Sequence, residues 1–435
     1  MKILHVIQLA LLAHHVYGIP TTVAPLDPIK GKNINASEKC VEELDLSDMG
    51  LKKIDRNFLS AGSCIKSLIL RGNSIEGFEN GTFSNLTNLE SLDLSLNKLS
   101  PTTLFSFGSV PSLKTLILDR KKEKWTNSTL DTKVYFPELT RLSLHGMNIN
   151  SVAINWSEYF PKIEQLDISY SQLISMNEFF NNIPTTLRSL KMEVMGLTKL
   201  KIENLKNVTS LDLDFNVFRS IKRSNCGEEG LCLENLDGLE SLSLRDCNIQ
   251  LIEEHAFKHL TNLSYLNLHF NRITRIASGT FGRIPSLSYL DISENPLDDV
   301  SFISELQNLT TLRMHWMSDH SAIDSLFSVS TVPTKIQILS LTENRISSIP
   351  SRFLDNLQDL REINLGNNWI SYLSPGSWQR NLKAIYLSNN NVSKIEDLHL
   401  SGARSLELLD LRENKLVSID PEVKRMLPEH LNLLL

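Results

Sequence analysis

Long apolar runs and cysteines are scarce in this 435-residue chain, and basic residues are slightly outnumbered by acidic ones. After the first dozen residues no stretch approaches the roughly 18 apolar residues a transmembrane helix needs, so no transmembrane anchor is expected. The formal net charge is −6. A nucleic-acid surface wants clustered Lys and Arg, so no nucleic acid is expected among the partners. There are five cysteines and no C-x-x-C spacing, which leaves zinc without support. Catalytic signatures are missing as well: no G-x-S-x-G, H-E-x-x-H, phosphate-binding loop or G-x-G-x-x-G stands in a strand-to-helix context. No catalytic residue, metal or cofactor is expected. The chain is read as a non-enzyme that works by binding.

The N-terminus has the layout of a signal peptide over residues 1–18. Lys2 supplies the positive start, Ile3 to Ala13 is mostly apolar, and Val16 and Gly18 are small enough to precede cleavage before Ile19. Residues 19–39 hold Pro20, Pro25 and Pro28 and no repeat pattern, which predicts a flexible leader. Nine N-x-S/T sequons follow the same logic of export: Asn35, Asn80, Asn85, Asn127, Asn155, Asn207, Asn262, Asn308 and Asn391. The expected location is extracellular, by secretion.

What the chain has in abundance is a period. Leu89-x-x-Leu92-x-Leu94-x-x-Asn97-x-Leu99 recurs around Leu266, Leu290 and Leu409. Followed by its fourth residue, the unit appears sixteen times, from Leu44 to Leu409, and nine of the fifteen spacings are 24 residues. Within x-L-x-L-x the leucines share one face, as in a strand. No unit buries that face alone, so neighbours must stack and pair into a long parallel sheet. The Asn falls where the chain leaves the strand and can satisfy turn backbone inside the stack. Phe58, Phe83, Phe107, Phe257, Phe281, Phe353 and Trp378 predict a second apolar row beneath the opposite side.

This pattern resembles the leucine-rich repeat family in its extracellular 24-residue form, over about residues 41 to 419. The resemblance implies an α/β repeat solenoid, a horseshoe whose parallel sheet lines a concave, often ligand-binding face. The organisation is similar to the coil-less insect leucine-rich immune proteins and to Toll-type receptor ectodomains. That implies binding to a protein or a microbial-surface ligand in innate immunity, with homo- or hetero-oligomers possible. An extracellular matrix or adhesion protein, or a receptor ligand or decoy, is the alternative. The dense cysteine caps of small matrix repeat proteins are missing, which lowers it.

The repeat is uneven. Asn gives way to Lys121, Met147, Ser171 and Met195 in four successive copies, which predicts less regular curvature there. Inserts around Ser220 to Leu233 and Asp319 to Thr334 are expected to project as loops. The solenoid is taken as 40–419, followed over 420–435 by a helical cap or contact segment. Asp420-Pro421-Glu422 would start the helix, and Leu431, Leu433 and Leu435 could add a partial strand. Cys40 and Cys64 occupy equivalent places on adjacent coils, about 5 Å apart, a spacing that suits a disulfide. Cys226 and Cys232 bracket a short loop and form a second candidate bridge. Cys247 takes the Asn position and is read as a buried free thiol.

Most residues flanking the strand leucines are small or charged, the default for a solvated face. Copies ten to twelve differ. Tyr265, His269, Phe270, Tyr289, His315 and Trp316 stand on or beside the concave face, with Phe215 on the same lateral line. Exposed aromatics on adjacent strands supply large contact area at low entropic cost, so these are the candidate ligand-binding residues. His145 also faces the concavity, and with His269 and His315 it makes acid-tuned binding conceivable.

Overall fold

The computed structural model describes residues 41–54, 64–100, 102–120, 135–147, 155–171, 176–201, 205–223, 229–317, 320–329, 331–419, 422, 425 and 427–435. The expected signal peptide and leader, Asn35, Cys40, Phe58, Lys121, Asn127, Cys226, Asp420 and Pro421 lie outside these residues.

Among the described residues seventeen short strands form one parallel sheet in which successive coils pair in register, the inner strands on both sides and Glu43–Asp45 and Asn432–Leu434 on one. Leu44 faces Leu68, Leu242 faces Leu266, and Leu266 faces Leu290. The strand leucines are almost wholly buried, except Leu44 and Leu433 on the two outermost strands, which are partly buried. Burying one such side chain is worth roughly 1.5–3 kcal/mol, and each needs both neighbours to achieve it. The second apolar row is present. Rings of Phe83 and Phe107 lie 5.4 Å apart, those of Phe257 and Phe281 5.6 Å apart and stacked, and Trp378 is fully buried.

The turn Asn does more than serve its own coil. Asn271 Nδ2 donates to the carbonyls of Leu268 (2.9 Å) and of Leu244 (2.8 Å) in the coil before. Its Oδ1 accepts the N–H groups of Cys247 (3.0 Å) and Ile249 (2.9 Å), also in the coil before. Asn73 repeats this with Met49, Leu51, Leu46 and Leu70. Buried backbone groups must be paired, so each Asn completes the turn of its predecessor. At Met49, Met195, Cys247 and Met317 the next copy's Asn still accepts the residue's own N–H, and what a missing Asn forfeits is its bonding to the coil before. Cys247 supplies a weak substitute donor, with Sγ 3.2 Å from the Leu213 carbonyl.

Two expectations are corrected. The described parts of the first insert do not project as a loop. Ser220–Lys222 and Gly230–Cys232 are strands of a separate four-stranded parallel sheet, completed by Lys199–Lys201 and Leu251–Ile252. Buried Ile221, Leu231 and Leu233 hold it to the core. The second insert contains a helix, His320–Ser328, because Ala322, Ile323, Leu326 and Phe327 make one apolar face, and all four are buried. At the C-terminus Asn432–Leu434 is a full member of the large sheet, with Leu433 opposite Leu409. This is the partial strand expected from Leu431, Leu433 and Leu435, 24 residues after the sixteenth copy, and Glu422 and Arg425, described residues before it, are helical. Through the copies that lack Asn the sheet stays in register, Leu142 to Leu166 to Leu190 to Leu211.

Candidate binding surface

The concave and lateral aromatics predicted from sequence separate into two rows. Tyr265 and Tyr289 are true strand residues on the concave face. Their rings stack with centroids 4.3 Å apart and 15° between planes. The Arg313 guanidinium sits 5.6 Å from the Tyr289 ring centre, a cation–π contact. Burial, with Asp291 nearby, pushes the Tyr289 phenol up to about 12, and burial raises Tyr265 too. Both phenols are therefore neutral hydrogen-bonding groups at physiological pH. His269 Nε2 lies 3.4 Å from the Glu294 carboxylate, while among the described residues its buried Nδ1 has no partner. His315 Nε2 and the Ser340 hydroxyl are 2.7 Å apart, and burial lowers the His315 pKa. His315 therefore gains its proton only at more acid pH than a free imidazole, which weakens its use as a sensor near neutrality.

Phe215, Phe270 and Trp316 are not on the concave strands. They occupy the residue just before the turn Asn position, at the edge where the chain leaves the strand. Backbone at this repeat position is left-handed in copy after copy: φ is +60° at Phe215, +50° at Asp246, +56° at Phe270, +54° at Glu294, +45° at Trp316 and +58° at Glu343. Gly72 and Gly146 show what the backbone prefers there. A bulky residue in this conformation costs about 1–2 kcal/mol. Yet Phe215, Phe270 and Trp316 are 39%, 48% and 60% exposed, so burial gives little in return. Strain spent on exposed aromatic rings marks a candidate functional row. A groove of about 440 Å³ opens between Phe215 and Phe270, lined also by Asp246, Asn248, Arg272 and Glu294.

Sequence reasoning missed the left-handed row as a row, because it sought strand-face positions. It also missed a carboxylate pair on the concave face. Burial, and next the nearby Glu193, pushes the Asp212 pKa up to about 6. Lys191 reaches both carboxylates, at 3.7 and 3.8 Å. Trp369 and Tyr372 are exposed as well. Among the cysteines, Cys64 and Cys232 are in disulfides, and their expected partners fall outside the described residues. Cys247 is a buried free thiol, and burial raises its pKa. The described residues hold no cluster of metal-ligating side chains and no helix long and apolar enough to cross a membrane.

The matched family is Leucine rich repeat, over residues 41–99, 63–122, 237–297, 334–380 and 380–434, more than half of the chain. The chain belongs to the leucine-rich repeat family. Among relatives, it is 26% identical to the transforming growth factor beta activator LRRC33 of Danio rerio, across 92% of this chain and 58% of that protein. It is 27% identical to Toll-like receptor 9 of Mus musculus, across 87% of this chain and 40% of the receptor. The chain thus spans well under two thirds of the length of either. The crystal structure of a TLR13-ssRNA13 complex shares the fold, with a TM-score of 0.59 and 21% identity, over 82% of this chain and 57% of that one.

Proposed function

We propose that the chain is a secreted recognition protein of innate immunity that binds a protein or microbial-surface ligand through its concave face and catalyses nothing. One observation carries this reading: the Tyr265–Tyr289 stack with Arg313 over it and His269 and His315 beside it, on adjacent strands. Aromatic and Arg side chains clustered on a rigid sheet are the composition of interface hot spots. The likeness to a Toll-like receptor supports an immune setting, and the net charge of −6 speaks against a phosphate-backbone ligand. Secretion rests on residues 1–18 and the sequons. Bridges Cys40–Cys64 and Cys226–Cys232 belong to the same reading.

The test is affinity capture from body fluid or conditioned medium on immobilised wild-type chain and on Tyr265→Ala/Tyr289→Ala. A specific protein held by the wild type and reduced about tenfold or more by the double variant is expected. Equal capture by both would remove the concave patch. Recovery of the native protein only from insoluble matrix would favour the adhesion alternative.

A further inference from the structure

Along the edge where the chain leaves the large sheet, six successive coils alternate aromatic and acidic residues at one backbone position: Phe215, Asp246, Phe270, Glu294, Trp316 and Glu343. The alternation sets a ring every second coil, roughly 10 Å apart, with a carboxylate between each pair. We infer that this lateral ridge is a binding site for a neutral polysaccharide chain lying along the solenoid axis. The inference deepens the recognition reading above, with a different surface and a defined ligand class.

Charge selects that occupant. The three carboxylates are matched by three guanidiniums at the same edge: Arg245, which sits 5.6 Å from the Phe215 ring centre, Arg272 in the groove, and Arg345 beside Glu343. A cationic or anionic ligand would meet as much repulsion as attraction. A sugar hydroxyl both donates and accepts, so an interleaved set of carboxylates and guanidiniums suits it. The Oδ1 atom of Asn248, a groove residue, is buried with no hydrogen-bond partner among the described residues, an acceptor the fold leaves unused. Exposed ring faces suit the apolar C–H face of a pyranose. An extended peptide is less suited, because strands Ser241–Ser243, Tyr265–Asn267, Tyr289–Asp291 and Thr311–Arg313 are all paired on both sides and offer it no backbone edge.

The ridge also lies clear of the neighbouring sequons. Asn207, Asn262 and Asn308 stand at the opposite end of the strands, where the chain enters the sheet, each donating through Nδ2 to the coil before, at 2.8, 2.9 and 2.8 Å. Glycans on them would project from the far edge. Asn391 is on the ridge side, but two coils beyond Glu343, with its Nδ2 on the Trp369 carbonyl.

The experiment is co-sedimentation of the full chain with insoluble curdlan, cellulose and chitin, in low and high salt, with a soluble polylysine peptide as competitor. The key variant is Phe270→Asn/Trp316→Gly, which copies the Asn367, Asn389, Gly72 and Gly146 that other coils carry at this left-handed position and creates no N-x-S/T sequon, so its fold is retained or strengthened. The wild type is expected to sediment with at least one polysaccharide, insensitive to salt and to polylysine, because the ligand is uncharged. The double variant should lose about tenfold or more of that binding with an unchanged or higher Tm. No sedimentation with any of the three, equal sedimentation of the double variant, or release by salt or polylysine each overturns the inference. Protein capture that depends on Tyr265 and Tyr289 would then leave the concave-face reading standing without it.

Discussion

At the residue scale, two polar positions govern stability in opposite directions. Asn271 makes four hydrogen bonds to buried backbone, three of them to the preceding coil. Truncation leaves two N–H groups and two carbonyls to be satisfied elsewhere, and each unsatisfied group costs about 1–3 kcal/mol. Asn271→Ala should therefore destabilise by about 3 kcal/mol or more, read as a lowered urea midpoint; an unchanged midpoint would contradict the cross-coil role. Asp212 works the other way. Its folded pKa, about 6, lies above the usual 3.8, so folding disfavours the ionised form. Its neutral form is the one the fold accommodates, and the penalty grows as pH rises from about 4 through about 6. Asp212→Asn removes that titration. The variant should match the wild type near pH 4 and exceed it above pH 6 by about 1–2 kcal/mol, allowing for solvent screening. Urea curves at the two pH values check this, and a difference independent of pH would rule it out.

At the scale of elements, the insert helix His320–Ser328 buries Leu326 almost completely against the solenoid. Leu326→Ala should cost about 2–5 kcal/mol. Were the segment a projecting loop, the same change would leave the thermal midpoint within error. The contrast shows which elements the sequence makes legible. Strands are readable because x-L-x-L-x states the period and one buried face in five residues, and the 24-residue spacing fixes the register. The insert helix carries its own signal in Ala322, Ile323, Leu326 and Phe327, but the signal is short and falls where the repeat frame breaks. Leu433 stands 24 residues after Leu409 and alternates with Leu431 and Leu435, so the final strand is legible too. Among candidate site residues, the strand-face aromatics could be placed by alternation alone. Phe215, Phe270 and Trp316 could not. Their direction is set by a left-handed backbone, and residue type there ranges from Gly through Asp and Asn to Trp, so no composition marks the position.

At the scale of the whole molecule, a solenoid has nearest-neighbour stability: each coil is held by its own packing and by two interfaces. The cross-coil Asn bonds run unbroken wherever consecutive copies keep Asn, as from Asn344 through Asn368, Asn390 and Asn414. They lapse in the middle of the N-terminal half. Ser171, the side chain at the turn position after Met147, has a buried hydroxyl with no hydrogen-bond partner among the described residues, and the bonding resumes only where Asn216 accepts Met195 and Leu197. The strands there pair normally, so the deficit lies in the turns and lowers the interface term alone. Opening should therefore start in this stretch and spread, rather than occur at once over the chain. Hydrogen exchange under native conditions is expected to be faster in strands Arg141–Ser143, Gln165–Asp167 and Ser189–Lys191 than in Tyr265–Asn267, Tyr289–Asp291 and Glu362–Asn364. The Met147 N–H now closes on the Leu144 carbonyl of its own coil (3.1 Å). Ser171→Asn should slow exchange at the first two, because the new side chain can bind both of these groups and the Ile168 carbonyl, and so tie the two coils together. Uniform protection along the sheet would mean that leucine packing alone sets the interface strength, with the Asn bonds contributing too little to create a weak segment.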